Sequence, residues 1–245
     1  MKKNIYVLTY DIGHLKCQKV VNGLLKKKYK ITVIAFPFIQ KKRNLVYKKK
    51  FSDRPYPILK KINNETYYKK RNVNYIKAKD FSYSQIKKIK FKKNSVILHT
   101  FIKILPKHFV KNKIILNAHP GILPINRGLD SFKWGVLKRL PFGVTLHKID
   151  HKVDSGFLMA VRYIDIVKKD SLSDISKKSF SLEINLLINF EKYLKNLKKR
   201  IKVTSNYSIS KKRISLEFEK HLPNIYNENK SLFKKLQRNK TYEIK

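Results

Sequence analysis

A chain of 245 residues with 58 Lys and Arg against 16 Asp and Glu, a formal net charge of +42, is long enough for one to two domains and for a core without metal or disulfide support. Its 42% hydrophobic and 12% aromatic content argue against disorder despite the charge, and the single cysteine, Cys17, excludes a disulfide framework and a cysteine-based zinc cage. His147 and His151 have the i, i+4 spacing of a zincin pair, but Lys148 stands where that motif needs Glu and the segment does not read as a helix.

In chain order, Ile5–Thr9 reads as a buried strand, too short an apolar run for a signal peptide or a membrane span, so the cytoplasm is the expected location. Residues Lys16–Lys28 place Val20, Val21, Leu24 and Leu25 on one helical face. Ile31–Phe36 is a second strand, and Lys41–Asn64 a Lys-rich loop containing Asp53-Arg54-Pro55-Tyr56-Pro57. Val73–Ala78 is a third strand candidate, Ser82–Ile89 a helix with Ser82 as N-cap, and Ser95–His99 and Lys113–Asn117 are further strands. Strands that are apolar throughout, separated by helical segments, predict a Rossmann-like α/β fold: a mostly parallel twisted sheet with helices on both faces and ligands beyond the strands' carboxyl ends.

Five of the seven glycines lie between 121 and 156, together with the only tryptophan, Trp134. In a Lys-inflated chain this is the segment to search for chemistry. A strand follows at Met159–Ile166, then a long helix over about Leu172–Leu197 with Ile175, Phe180, Leu182, Leu186, Leu187, Ile188 and Phe190 as its apolar stripe. Residues 198–245 are basic and weakly patterned, with a hairpin expected from Ile201–Ile209 and Ile214–Phe218 and a frayed tail beyond it.

The basic balance is the footprint of a nucleic-acid binder. The excess is mostly Lys, however, and travels with Asn and Ile, a trio that an AT-rich genome supplies without selection for binding. Lys is also a solvated point charge where Arg is the preferred bidentate phosphate reader. A small anionic substrate suits the same field.

Residues 114–124 read Ile-Ile-Leu-Asn-Ala-His-Pro-Gly-Ile-Leu-Pro. A buried strand ends there and delivers Asn117 and His119, two residues apart, to one face. An amide donor and a switchable imidazole converging on one point can hold an oxyanion; the alternative is a turn with a satisfied histidine. Residues 143–156 add a strand at Val144–His147 and a loop presenting Asp154 before Ser155-Gly156. Asp154 is either a turn former or a carboxylate that orients His119 and keeps it charged. His99 and His147 fit as buried structural histidines, and Phe132 and Trp134 as core.

This set resembles the folate-dependent formyltransferase family through Asn117-Ala118-His119-Pro120, Leu123-Pro124, Arg127-Gly128, Gly143-Val144-Thr145 with His147, and Val153-Asp154 with Gly156. The resemblance is clear over about 95–195, is a strand-helix pattern over 1–94, and fades after Lys198. It implies an Asn117–His119–Asp154 triad that transfers a formyl group from 10-formyltetrahydrofolate to a primary amine without a metal. Asn117 and protonated His119 would hold the oxyanion, with Asp154 orienting His119. It implies a folate pocket lined by Phe101, Ile102, Lys103, Ile104 and Leu105, with Lys at 103 where the family usually has Arg, and by Ile149 and Val153 of the following loop. Gly121, Leu123, Pro124 and Arg127 would shape the amine site, Arg127 being equally readable as half of a structural ion pair.

Within the family, the turn Tyr10-Asp11-Ile12-Gly13-His14 lacks the Gly-Ser-Asn phosphate loop of the glycinamide ribonucleotide enzyme. Residues 198–245 read as too short for the C-terminal barrel of initiator-tRNA formyltransferases, and an extra N-terminal domain like that of the deformylases is not expected. The expected organisation is a catalytic domain over 1–197, its folate- and amine-binding core at about 95–160, and a basic extension over 198–245. The expected substrate is a dTDP-, GDP- or UDP-linked amino sugar for surface polysaccharide or lipopolysaccharide synthesis, with a homodimer compatible and no membrane or nucleic-acid partner. The alternatives are another amine, as in glycinamide ribonucleotide or initiator methionyl-tRNA, or a degenerate formyltransferase fold serving as a basic nucleic-acid binder.

Overall fold

A computed structural model describes residues 4–38, 58–59, 61–199, 201–203 and 210–244. Most of the expected Lys-rich loop over Lys41–Asn64, with its Asp53–Pro57 segment, and residues 204–209 of the expected hairpin lie outside the described residues. The chain divides into two compact units, the first containing residues 1–40, 56–117 and 148–152, the second the remainder.

The first unit runs β1 (Asn4–Tyr10), β2 (Gly13–His14), α1 (Leu15–Lys26), β3 (Lys30–Phe36), β4 (Ile58–Leu59), α2 (Asn64–Lys69), β5 (Asn74–Lys77), α3 (Tyr83–Lys88), β6 (Val96–His99), α4 (Lys107–Val110) and the first four residues of β7 (Ile114–His119). Strand order is β7-β6-β1-β3-β5 and every pairing is parallel, as the continuous apolar runs require. Central β1 sits in register with β3 from Asn4↔Lys30 to Tyr10↔Phe36 and with β6 from Ile5↔Val96 to Leu8↔His99. On α1, Cys17, Val20, Val21 and Leu24 are buried at helical spacing. A core of Leu8, Ile34, Phe36, Phe81, Ile97, Phe101 and Phe109 includes a Phe36–Phe81 stack with ring centroids 4.0 Å apart.

Two short elements here escape sequence reading. Strands β2 and β4 pair antiparallel, and a Cβ on Gly13 would lie 2.4 Å from the Leu59 carbonyl oxygen, so only glycine admits that approach. Helix α2 begins where a loop was expected, capped by Asn63, whose side chain accepts from the Thr66 amide at 3.1 Å. Ser82 does precede α3, but its hydroxyl makes no cap bond and lies 3.2 Å from that of Ser84.

The second unit takes up the end of β7 and continues through α5 (Ser131–Leu137), β8 (Gly143–Ile149, of which residues 143–147 belong here), β9 (Gly156–Tyr163), α6 (Leu172–Ile188), a 3-10 stretch (Phe190–Lys199), β10 (Lys202–Val203), α7 (Leu216–Glu219), α8 (Leu222–Glu228) and α9 (Lys230–Asn239). Strand order is β10-β9-β8-β7. Helix α6 starts at a capping box: the Ser171 hydroxyl accepts from the Asp174 amide at 3.2 Å, and the Asp174 carboxylate accepts from the Ser171 amide at 3.1 Å. The helix ends earlier than its apolar stripe predicts. Both the amide and the side chain of Asn189 donate to the Asn185 carbonyl, at 2.9 and 3.0 Å, and the chain tightens into the 3-10 stretch.

The expected hairpin of 201–209 with 214–218 is replaced by other structure. Lys202 and Val203 pair with Phe157 and Gly156 of β9, and Leu216–Glu219 is helical. Nor are the last described residues frayed. Leu222, Tyr226 and Phe233 are fully buried against Phe132, Val136, Phe142, Ile164 and Ile175. The Gln237 side chain donates to the carbonyls of Phe142 and Ile164, both at 2.8 Å, and accepts from the Phe142 amide at 3.1 Å. A buried ion pair joins Lys133 on α5 to Glu219 on α7 at 2.6 Å. No helix among the described residues is long and apolar enough to cross a membrane.

Candidate active site

His119 closes β7 and is almost fully buried. Its Nδ1 lies 3.3 Å from Asp154 Oδ1, and its Nε2 lies 2.8 Å from the Asn126 carbonyl oxygen. A carbonyl oxygen only accepts, so Nε2 carries a proton, and Nδ1 faces a carboxylate: the surroundings are built for imidazolium. Burial alone would lower the pKa of His119. The charge and hydrogen bond of Asp154, the Asn126 carbonyl and the charge of Glu183, buried on α6, outweigh it and leave the ring above its ordinary range. Asp154 responds in the opposite sense. Burial would raise it, but the charge and hydrogen bond of His119, the charge of His147 and the Gly128 amide hold it well below the usual carboxylate range.

Asp154 sits between β8 and β9 with φ of 43°, in the left-handed region, and its Oδ2 accepts from the Gly128 amide at 2.7 Å. Gly128 is itself left-handed, at φ of 98°. The loop leading to it is tied down at several points. The Asn126 side chain donates to the Ser131 carbonyl at 2.7 Å, and its amide donates to the Ile122 carbonyl at 2.9 Å. The Thr145 hydroxyl donates to the Gly121 carbonyl at 2.8 Å and accepts from the Leu123 amide at 3.0 Å. Gly121 lies over the imidazole, and a Cβ there would come within 2.9 Å of His119 Nε2 and 2.7 Å of the Asn126 oxygen. Gly121 and Leu123 are buried, and Pro124, which follows a cis peptide bond, is half-buried. Arg127 is buried, and its Nη2 donates to the Val153 carbonyl at 2.5 Å, gripping the residue before Asp154.

In the first unit, Asn117 is half-buried on β7 in register with His99 of β6, two residues before His119 and so on the same face of the strand. His99 is buried and its Nε2 donates to the Lys103 carbonyl at 2.9 Å. In the segment after β6, Phe101 and Leu105 are turned into the core, Phe101 packing edge-on to Tyr10 at 5.0 Å, while Ile102 and Ile104 are each 65% exposed. The Lys103 ammonium lies 5.5 Å from the centre of the Phe81 ring, and Ile149 packs partly buried against the same core. The turn after β1 is closed: Asp11 accepts from the Phe38 amide at 2.9 Å, and the Asn64 side chain donates to the Tyr10 and Ile12 carbonyls at 2.9 and 2.6 Å. His14 beside it is driven down to about 3 by burial and by the charges of Lys16 and His99.

His147 is buried with Nδ1 3.2 Å from the Ser155 carbonyl, Phe132 is core, and Trp134 is partly buried with its indole N–H donating to the Lys212 carbonyl at 2.7 Å. Sequence reading does not isolate Asn126, which holds the imidazole, or Thr145, which pins the loop. Arg127-Gly128 and Thr145 stand inside recognisable motifs, but Asn126 has only its place beside Arg127 as a signal. Among the described residues no three His, Cys, Asp or Glu side chains gather as metal ligands would.

The sequence profile of the family described as formyl transferase matches residues 3–190. A methionyl-tRNA formyltransferase of Prochlorococcus marinus is 33% identical over 89 residues, which is 35% of this chain and 27% of that protein. A dTDP-4-amino-4,6-dideoxyglucose formyltransferase of Mycobacterium bovis is 32% identical over 73 residues, 30% of this chain and 31% of that protein. The chain thus spans about a third of the length of these curated relatives. Among solved structures, the N-formyltransferase of Helicobacter canadensis in complex with folinic acid and dTDP-3-aminofucose superimposes with a TM-score of 0.58 at 16% identity, over 92% of this chain and 81% of that one.

Proposed function

Because the chain belongs to the formyl transferase family, we propose that it moves a formyl group from 10-formyltetrahydrofolate to a primary amine, the amino group of a nucleotide-linked amino sugar destined for surface polysaccharide. The observation that carries this reading is the buried His119–Asp154 pair, held in its charged state at the end of the strand that also bears Asn117. When bound, the donor supplies an activated formyl carbonyl. Asn117 and the His119 imidazolium then donate toward the oxygen on which negative charge develops as the amine attacks, and Asp154 keeps His119 charged and oriented. For His119 to donate there, its Nε2–H is shared between the developing oxyanion and the Asn126 carbonyl, which keeps the ring aimed. The exposed Ile102 and Ile104 present apolar surface that a flat ring would cover, which suits a pterin, and backbone groups of residues 101–105 and 149–153 would hydrogen-bond it.

The amino-sugar assignment rests on the Helicobacter canadensis neighbour, the Mycobacterium bovis relative and a closed turn after β1 with an acidic residue, Asp11, where a phosphate would repel it. The decisive experiment incubates the protein with 10-formyltetrahydrofolate and dTDP-, GDP- and UDP-linked amino sugars, glycinamide ribonucleotide and charged initiator tRNA, and reads product mass. A formyl adduct on an amino-sugar nucleotide is expected. An adduct confined to tRNA or to glycinamide ribonucleotide moves the substrate class, and no adduct on any amine removes the activity.

A further inference from the structure

Lys211 lies outside the residues matched by the family profile, yet it touches both partners of the His119–Asp154 pair through one residue each. Its ammonium donates to the Asn126 side-chain oxygen at 3.2 Å and the Ile125 carbonyl at 3.4 Å, and it is Asn126 whose backbone carbonyl accepts from His119. Its backbone brackets Gly128: the Lys211 amide donates to the Arg127 carbonyl at 3.1 Å, and the Leu129 amide donates to the Lys211 carbonyl at 2.9 Å. Gly128 is the residue whose amide holds Asp154 Oδ2, and a Cβ on it would lie 2.3 Å from the Lys211 nitrogen. Flanking bonds fasten the segment down. The Lys212 carbonyl accepts from the Trp134 indole, and the Ile214 amide donates to Asp130 at 3.3 Å. Half-burial lowers the pKa of the Lys211 ammonium, a cost to charge retention that a purely solvated lysine does not carry.

We propose that residues 210–214 form a strap over the loop 125–129, and that Lys211 is a positioning residue which fixes the Asn126 carbonyl against His119 and the Gly128 amide against Asp154. The site is then completed from a segment beyond the family match. The bidentate grip of Lys211 leaves the backbone clamp as one component and the ammonium as a separable second one.

The test separates the two. In Lys211→Met the stem stays and the ammonium goes. In 15N-labelled protein the His119 Nε2–H should exchange with water faster by on the order of ten-fold. Turnover, a readout that rests on the formyl-transfer reading, should fall by roughly ten- to a hundred-fold with little change in KM. Lys211→Arg, which keeps a donor there, should restore both. A folded Lys211→Met protein with a lowered melting temperature but unchanged His119 exchange and kcat would make Lys211 merely structural and overturn the proposal. Faster His119 exchange in a protein that formylates no amine would uphold the positioning role and count against the functional reading alone. Should Lys211→Met not fold, native-state exchange on the unmodified protein decides. The Lys211 amide and the His119 Nε2–H opening together supports the strap, and independent opening refutes it.

Discussion

Burial should strip the proton from a histidine as enclosed as His119, and the reason it does not is a carboxylate that cannot afford to be neutral either. The signs of the two shifts define a pH window. His119 is raised in the fold, so its contribution is complete below its unfolded value of about 6.5 and is lost as pH rises through the folded value. Asp154 is lowered, so its contribution is present above about 3.9 and is lost as pH falls toward its folded value. Buried His14 runs the other way: depressed to about 3, it favours the fold above its ordinary range and opposes it as pH falls. The pair is therefore isolated by difference. Between roughly pH 4 and 6.5 the melting temperature of Asp154→Asn should fall furthest below that of the parent, and the gap should close toward both ends. The same variant should lose roughly 10²–10³-fold in turnover and shift the alkaline limb of its rate profile to lower pH, as His119 deprotonates more readily. A rate profile with an unmoved alkaline limb would remove Asp154 as the group that keeps His119 charged. Gly128→Ala tests the neighbouring backbone. A left-handed position costs an ordinary residue about 1–2 kcal/mol, and the approach of Lys211 adds to it, so chemical denaturation should register at least that loss.

At the scale of elements, legibility followed burial on both faces. Strands β1, β3 and β6 were plain in the sequence because nearly all of their buried residues are apolar, Thr9 and His99 being the exceptions. Two-residue strands such as β2, β4 and β10 have no pattern to detect, since partners distant in the chain create them. Helices α8 and α9 were obscured differently. Leu222, Tyr226, Phe233 and Gln237 do stand at helical spacing, but the stripe is sparse, interrupted at Asn229 and flanked by Lys. At the site, Asn117, His119 and Asp154 could be nominated from spacing and resemblance, whereas Asn126 and Lys211 act through backbone atoms and a long-range contact that no local motif encodes. The buried helices carry a prediction. Phe233→Ala should cost about 3–5 kcal/mol, the range for emptying an aromatic from a packed core. Gln237→Ala should cost about 1–3 kcal/mol, because groups of Phe142 and Ile164 lose their buried partner. Urea midpoints within error of the parent for both variants would mean that α9 contributes nothing to the core.

For the whole molecule the governing quantity is +42. The lysines at 26–28, 87–93, 195–199 and 234–240 are distributed along the chain, and the cluster at 41–50 lies outside the described residues. Self-repulsion on this scale opposes compaction, and salt relieves it by shortening the Debye length from ~10 Å at 0.1 M to ~3 Å at 1 M. The melting temperature should therefore rise with sodium chloride, while the apparent affinity for the proposed substrate, an anionic sugar nucleotide, should weaken. Submicromolar RNA binding at physiological salt, abolished by neutralising one lysine cluster, would instead restore the nucleic-acid alternative.

The depth at which α8 and α9 are buried also orders events during biosynthesis. Phe142 and Ile164 emerge from the ribosome well before Tyr226, Phe233 and Gln237, the residues that cover them and satisfy their backbone groups. At ~5–20 residues per second, that apolar surface is open to chaperones and proteases for several seconds in every nascent chain. A ribosome stalled before Gln237 therefore presents a quality-control substrate rather than a shorter folded protein.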